Sequence, residues 1–136
     1  MAGNIRLEVV TPETSVVSED AQIVVAPGAL GEFGVLIGHT PFLTTLKLGM
    51  LRYKDANGVE KCVFISGGFA EALPDKVTVL AESAERRRDI DVERVKQAIK
   101  RAEERLASKK PDINYERARA ALLRALHRLK ITETRR

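Results

Sequence analysis

The chain has 136 residues, of which 44% are hydrophobic, 31% are charged and 4% are aromatic, with no tryptophan. This composition is typical of a globular protein with one domain or two small ones, and nothing in it indicates a large aromatic-lined ligand pocket. The longest apolar runs fall far short of a membrane span, and no basic-then-apolar leader opens the sequence. We therefore expect an intracellular protein that does not insert into a membrane.

Charge is unevenly distributed along the chain. Residues 1–84 hold 6 Lys and Arg against 10 Asp and Glu, a net of −4, whereas residues 85–136 hold 17 against 9, a net of +8. The difference predicts two units with different partners, one domain over residues 1–84 and a second over residues 85–136. The basic second unit favours an anionic partner, for which nucleic acid, an acidic protein surface and a nucleotide are all candidates.

In the first unit, apolar residues alternate with polar ones, which is the pattern of half-buried β-strands. Residues 5–9 and 77–81 are the best examples, residues 22–26 are a short apolar run, and strong turn signals separate such segments. The strongest signal is Asn57-Gly58, which predicts a two-residue type I′ hairpin because Asn and Gly tolerate positive φ. Short strands at even spacing predict an antiparallel β-sandwich or flattened barrel.

In the second unit the apolar spacing changes to 3, 4, 3, 4, which is the period of an amphipathic helix. The two stripes are Val92, Val95, Ile99, Ala102 and Leu106, then Tyr115, Ala118, Leu122, Ala125 and Leu129. Asp89 is the predicted N-cap of the first helix, and Asp112 or Asn114 that of the second. The break between the stripes predicts an antiparallel helical hairpin, so the fold class is α+β with two domains. The alanines bury little area, and we expect a weakly held hairpin that can open.

Residue patterns for catalysis or metal binding are absent from the sequence. His39 and His127 lie in different halves without metal-ligand spacing, and the lone Cys62 is expected to be a small core residue. The stretch EFGVLIGHTPF over residues 32–42 lacks the glycine spacing that holds phosphate. We therefore expect a protein that is not an enzyme, in which this stretch turns a sheet corner and presents a protein-binding surface while His39 packs locally.

The helices carry a group of charged residues at informative positions. At 100° per residue, Asp91, Arg94 and Arg101 share one flank of the first helix. Arg124 and Arg128 lie one turn apart on the second, and neither has a carboxylate three or four residues away. Folding the hairpin would gather four guanidinium groups, which suit phosphate oxygens. The same residues can be surface pairs and helix-end charges on a solvated face, and spacing alone favours that interpretation over an anion site.

Four segments resemble the epsilon subunit of bacterial and chloroplast F-type ATP synthases. They are LEVVTPE from Leu7, APGALGEFGVLIGHTPFLTTLKLGMLR from Ala26, SGGFAEALPDKVTVLAESAE from Ser66 and DIDVERVKQAIKRAEERL from Asp89. The resemblance covers essentially the whole chain and implies a β-sandwich in contact with the gamma subunit and the c-ring. It also implies a hairpin that permits turnover when packed on the sandwich. When extended along gamma, towards the catalytic beta and alpha subunits, the hairpin would restrain ATP hydrolysis.

The resemblance further implies a location and a contact region. The protein would be a peripheral, non-catalytic rotor subunit on the cytoplasmic face of the bacterial plasma membrane, and it would couple proton-driven rotation to ATP synthesis. The implied rotor-contact region is Glu32, Phe33, Gly34, Leu36, His39, Thr40 and Pro41.

In some members of that family the hairpin binds ATP as a regulatory ligand, through a motif of the form I/L-D-x-x-R-A that opens the first helix. By match to that pattern, the ATP-binding residues here would be Glu85, Ile90, Asp91, Arg94, Arg101, Arg124 and Arg128. Val95 stands where the family has Ala, a departure that bears on affinity more than on the existence of the site. The resemblance thus favours a nucleotide site over a solvated face. No other cofactor and no metal is expected.

Two alternatives differ in their partners. The same rotor subunit could lack nucleotide binding and respond only to neighbouring subunits. A nucleic-acid-binding protein would also use basic helices, but these helices have no recognition-helix geometry and only Tyr115 among aromatic residues. The acidic first unit would repel the same polyanion, so we expect no nucleic-acid partner.

Overall fold

The computed structural model describes residues 3–133, which form seven strands followed by two helices. The strands are β1 (Ile5–Val10), β2 (Ser15–Gly28), β3 (Gly31–Val35), β4 (Phe42–Leu46), β5 (Gly49–Asp55), β6 (Glu60–Leu73) and β7 (Lys76–Arg86). A 3₁₀ turn over Arg87–Asp89 leads into α1 (Val92–Ala107) and α2 (Tyr115–Glu133). The predicted α+β fold, a sandwich followed by a helical hairpin, is confirmed. Residues 1–2 and 134–136 of the two predicted domain ranges lie outside the described residues.

Two long strands, β2 and β6, hold the sandwich together because each pairs in both layers. β2 pairs with β1 through its first half and with β3 and β5 through its second. β6 pairs first with β5 and then with β4, and along most of its length with β7. The pairing of β1 with β7 is parallel, an exception to the antiparallel prediction. It places the first strand beside the last one, so that both strands gain a partner and their edges are covered.

The sandwich core follows from the alternation in the sequence. Ile5, Leu7 and Val9 are fully buried, while the residues between them face outwards. Leu7 lies in register with Val77, and Val9 with Val79. The period-2 pattern of β1 and β7 therefore places one row of aliphatic side chains inside and one row of polar side chains outside.

The β5–β6 hairpin differs from the predicted two-residue turn. The backbone N of Asp55 donates to the carbonyl of Val59, and the N of Gly58 donates to the carbonyl of Asp55, both at 2.9 Å. These bonds enclose a three-residue loop with Gly58 at φ +80°. The physical reason is Asp55, whose carboxylate accepts from the backbone N of Asn57 and of Val59 at 2.9 Å each and so favours the longer loop.

The start of α1 also differs from the prediction. Asp91, and not Asp89, is the N-cap, with its Oδ1 accepting from the backbone N of Arg94 at 3.2 Å. Asp89 cannot cap α1 because it ends the 3₁₀ turn and Ile90 is extended, which delays the helix. For α2 the Asn114 alternative is confirmed, since its Oδ1 accepts from the N of Arg117 at 3.0 Å.

A polar network closes the end of the sandwich that adjoins the helices. The Glu19 carboxylate accepts a hydrogen bond from the Tyr53 hydroxyl at 2.6 Å and another from Lys61 at 3.2 Å, with Arg86 at 3.8 Å. Lys61 also pairs with Asp55 at 3.2 Å. Burial acts to raise the pKa of the Glu19 carboxyl, but the bonds from Tyr53 and Lys61 and the nearby positive charges outweigh it and hold that pKa below its usual value.

Replacing Glu19 by Gln should lower the free energy of unfolding at pH 7 by about 1–2 kcal/mol, because two hydrogen-bond donors lose a charged acceptor. Since the folded-state pKa lies below the ordinary value of 4.5, this stabilisation is present above pH ~4.5 and is lost as the pH falls through the folded pKa. Urea unfolding should therefore show a smaller difference between wild type and variant at pH 3 than at pH 7. Glu13→Gln, at an exposed turn carboxylate, is the control. A difference independent of pH would contradict the assignment.

Candidate functional site

The helical hairpin packs on the outer face of the sandwich through a second apolar cluster, separate from the sandwich core. We call its buried residues the docking cluster: Cys62, Phe64, Ile90, Val95, Ala125 and Ile131. Partly buried side chains surround it: Leu48, Met50, Ala98, Ile99 and Leu129. The hairpin therefore rests on strands β5 and β6.

Phe64 is the central contact of this interface and is absent from the predicted functional residues. Residues 62–65 are buried at four consecutive positions, because Val63 and Ile65 face the sandwich core while Cys62 and Phe64 face the helices. An unbroken apolar run in a strand indicates burial on both faces, and this is the sequence signal that points to Phe64. Cys62 is a small buried residue, as predicted.

Arg128 of α2 is joined to the sandwich by two contacts. Its Nε donates to Oε1 of Glu85 at 2.9 Å, and its guanidinium carbon lies 4.4 Å from the centroid of the Phe64 ring. The Arg128 and Glu85 side chains are 29% and 37% exposed, so the pair is only partly screened by water. Arg128 has no carboxylate three or four residues away in its own helix, and it pairs instead with one at the end of β7.

The predicted ATP residues before and along α1 lie in different environments. Ile90 is buried in the docking cluster. Asp91 uses one carboxylate oxygen to cap the helix, and the guanidinium groups of Arg94 and Arg101 are exposed on the same flank. Within residues 3–133 these two guanidinium groups form no ion pair. They are therefore open to an anion from solvent.

On α2, the half-buried Arg124 forms no ion pair with the described part of the chain, whereas Arg128 is held by Glu85. The structure thus joins two of the predicted residues to each other directly, Glu85 and Arg128. Val95, the departure from the family motif, fits into the docking cluster at 6% exposure. Burial and the positive charges of two lysines lower the pKa of the neighbouring His127, so its ring is neutral at pH 7.

The structure contains a cavity of about 430 Å³ between the start of β6, the linker after β7 and the end of α2. Of the seven predicted ATP residues, only Ile90 lines it. The arginines predicted to hold phosphates therefore lie on the helix surfaces and not in this cavity.

The predicted rotor-contact residues lie on one rim of the sandwich. Glu32, Phe33 and Gly34 belong to β3, and the others follow in the turn before β4: Leu36, His39, Thr40 and Pro41. No helix follows this turn, so it has no helix N-terminus to hold a phosphate. His39 packs locally, as predicted, with its Nδ1 2.6 Å from the carbonyl oxygen of Thr40 and its ring 5.0 Å from that of Phe42.

Beside this rim, large apolar side chains are exposed to solvent. Leu30 is completely exposed, Leu43 is 70% exposed and Leu36 is 52% exposed. Phe33 of β3 and Phe42 of β4 pack edge to face, with ring centroids 5.1 Å apart. We call these five residues the rim patch. Large apolar side chains that stay exposed to solvent near one another are typical of a protein-binding surface.

Within the described residues, no helix is long and apolar enough to cross a lipid bilayer. Residues 3–133 likewise contain no group of three or more side chains placed to hold a metal ion.

Two family models match consecutive parts of the chain. The model of the ATP synthase delta/epsilon chain β-sandwich domain matches residues 4–87, and that of the delta/epsilon chain long α-helix domain matches residues 88–133. The chain is 65% identical to the ATP synthase epsilon chain of Desulforapulum autotrophicum, over 99% of this chain and 100% of that one. It is 56% identical to the epsilon chain of Syntrophobacter fumaroxidans, over 98% of both chains.

Two solved structures contain chains with a similar fold. A chain of the Euglena gracilis mitochondrial ATP synthase, in a structure of its OSCP/F1/c-ring, matches with a TM-score of 0.73 at 25% identity, over 88% of this chain and 75% of that one. A chain of the Tetrahymena thermophila mitochondrial ATP synthase central stalk/c-ring has a similar fold, with a TM-score of 0.59 at 12% identity, over 96% and 98% of the two chains. The chain therefore belongs to the ATP synthase delta/epsilon chain family, as an epsilon chain of the F-type central stalk and not one of its catalytic subunits.

Proposed function

We propose that this protein links the gamma subunit to the c-ring in the rotor, and that its hairpin regulates ATP hydrolysis in response to ATP. The observation that carries the regulatory part is the bridge from Arg128 to Glu85 and Phe64, because it ties a basic helix to the sandwich through a guanidinium group that can also contact a phosphate. As part of the complex, the protein would lie on the cytoplasmic face of the bacterial inner membrane.

The rim patch supports a rotor contact. Its exposed leucines would be buried against another protein surface, and each fully buried leucine side chain contributes about 1.5–3 kcal/mol. Glu32, which pairs with Arg52 at 3.0 Å, would add a polar edge to the same surface. Gamma and the c-ring are the proposed partners because the chains of similar fold belong to an OSCP/F1/c-ring assembly in Euglena and to a central stalk/c-ring assembly in Tetrahymena.

The hairpin is suited to a two-state role. In the docked state the hairpin and the sandwich bury Phe64, Ile131 and the rest of the docking cluster between them. In the extended state that cluster would be exposed, and the apolar stripes of the helices would be available to other subunits. The second half of the chain carries a net charge of +8, which would favour acidic surfaces of the catalytic beta and alpha subunits in the extended state. Docking would then permit hydrolysis and extension would restrain it.

ATP would favour the docked state by binding guanidinium groups from both helices. Arg94, Arg101 and Arg124 have no ion-pair partner within residues 3–133, and a polyphosphate would remove their mutual repulsion. Arg128 uses Nε for Glu85, which leaves its terminal N–H groups for a phosphate and fixes their direction. At ten times its Kd, ATP would stabilise the docked state by about 1.4 kcal/mol, enough to shift a marginal equilibrium.

Calorimetric titration of the isolated chain with ATP tests this proposal. The wild type should bind, and Arg124→Ala should bind at least about tenfold more weakly, because a charged hydrogen bond is lost. Arg119→Ala, on the opposite side of α2, is the matched control and should bind like the wild type. No heat from the wild type at millimolar ATP would contradict the sensing role and leave a rotor subunit that responds only to its neighbours.

A further inference from the structure

We propose that the cavity between the linker and the end of α2 binds a small organic anion with an apolar body, at a site separate from the arginines predicted to bind ATP. The cavity measures about 430 Å³, within the range of small-molecule pockets. Its walls come from β5, the start of β6, the end of β7 with the linker after it, the first residue of α1 and the last turn of α2. We call it the linker cavity.

The inner wall of the linker cavity is apolar. Tyr53, Cys62 and Ile90 are 2%, 6% and 7% exposed, and Val92 of α1 adds a fourth apolar side chain. A flat or branched hydrocarbon body would contact this wall without leaving the Tyr53 hydroxyl unsatisfied, because that hydroxyl already donates to Glu19. This wall therefore favours a ligand with an apolar part over an inorganic ion.

The rim of the linker cavity is cationic. It contains Lys61 and the three consecutive arginines of residues 86–88, against one acid among the lining residues, Glu60. Lys61 is already paired with two carboxylates, and Nε of Arg86 donates to the Val16 carbonyl at 2.9 Å, so both are fixed parts of the wall.

Of the two other arginines, Arg87 donates to the Thr132 carbonyl at 3.5 Å and is a further fixed part of the wall. The group that can anchor an anion is Arg88. Arg88 is exposed and forms no ion pair within residues 3–133. Carboxylate and phosphate match the planar fork of such groups, so the ligand class is an organic carboxylate or phosphate.

The linker cavity is distinct from the arginines proposed to bind ATP, although Ile90, another of the predicted ATP residues, lines it. On α1, Val92 lies about 160–180° around the helix axis from Arg94 and Arg101, so the cavity and these arginines are on opposite flanks. A ligand in the cavity would contact β6 of the sandwich and Thr132 of α2 together. It would therefore bind only the docked hairpin and stabilise that state.

The test is an amide NMR titration of the full chain with benzoate and with phenyl phosphate. Both compounds should shift the signals of Cys62, Ile90 and Thr132 in a saturable way. Inorganic phosphate, which has the charge without an apolar body, and benzyl alcohol, which has the apolar body without the charge, should not shift them. Arg88→Ala should weaken binding about tenfold, because a charged hydrogen bond is lost. Arg94→Ala, on the other flank of α1, should leave it unchanged.

Several results would overturn the proposal. One is binding of inorganic phosphate as tight as that of benzoate, which would mean an adventitious ion on surface arginines. Another is undiminished binding of benzoate to Arg88→Ala. The third is the absence of shifts at these three residues up to about 50 mM benzoate or phenyl phosphate. The outcome is independent of ATP sensing, because a chain that ignores ATP can still bind benzoate in the linker cavity. Retention of a native spectrum by Arg88→Ala, whose side chain is exposed, confirms that the variant is folded.

Discussion

Gly68→Ala is expected to prevent the sandwich from folding or to lower its free energy of unfolding by more than about 4 kcal/mol. A Cβ at this position would lie 2.1 Å from the carbonyl oxygen of Leu80 and 2.8 Å from Cα of Ala81. Both atoms belong to the backbone of β7, which pairs with β6 here, so neither can move without parting the two strands. Gly68 also has φ +123°, which L side chains rarely adopt. Soluble expression and urea unfolding followed by circular dichroism measure the effect.

Gly67→Ala is the matched control for Gly68→Ala. Gly67 has φ +74°, and its Cβ would meet only the carboxylate end of Glu82, at 3.2 Å, which can rotate away. We expect a loss of about 1–2 kcal/mol from the left-handed backbone alone. Similar losses for the two variants would show that the close approach of β6 to β7 does not decide the cost at Gly68.

Phe64→Ala is expected to release the hairpin while the sandwich stays folded. The ring is fully buried, but it belongs to the docking cluster and not to the sandwich core. Phe to Ala changes at buried sites cost about 3–5 kcal/mol, and the contact with Arg128 is lost as well. Because the cost falls on the docked state, amide hydrogen exchange should become fast throughout α1 and α2 and should change little in β1 and β7.

Phe69→Ala is the matched control for Phe64→Ala. Phe69 lies on the same strand, but the residue is 53% exposed and belongs to neither the docking cluster nor the sandwich core. Its removal should leave the exchange rates of α1 and α2 as in the wild type. If Phe64→Ala behaved like Phe69→Ala, the docking cluster would not be what holds the hairpin on the sandwich.

The architecture is readable from the sequence because local patterns specify it. Alternation at Ile5, Leu7 and Val9 reports a strand with one buried face, and the 3, 4 spacing after residue 84 reports helices with one buried stripe. The position of the turn at Asn57-Gly58 is predicted correctly, but its length is not. The Asp55 carboxylate accepts hydrogen bonds from the backbone across the loop, and the Asn-Gly dipeptide alone does not indicate these bonds. The cap of α1 is missed by two residues for a similar reason, since the 3₁₀ turn before it has no strong sequence signal.

Contacts between residues far apart in the chain are harder to predict, because local patterns carry no information about them. The pair Glu85 and Arg128 spans 43 positions, and the Glu19 network joins four strands. The apolar run at residues 62–65 is the sequence signal that indicates burial of β6 on both faces, and so a covering layer outside the sandwich core. The prediction of the ATP residues rests on the resemblance to the family, because spacing alone favours a solvated basic face over an anion site.

The most direct test of the regulatory account is amide hydrogen exchange of α1 and α2 in the full chain, with and without millimolar ATP. A weakly docked hairpin should exchange much faster than the sandwich core without nucleotide, and ATP should slow that exchange up to about tenfold at ten times its Kd, since binding favours only the docked state. Slow exchange in both helices, equal to that of β1 and unchanged by ATP, would contradict the account.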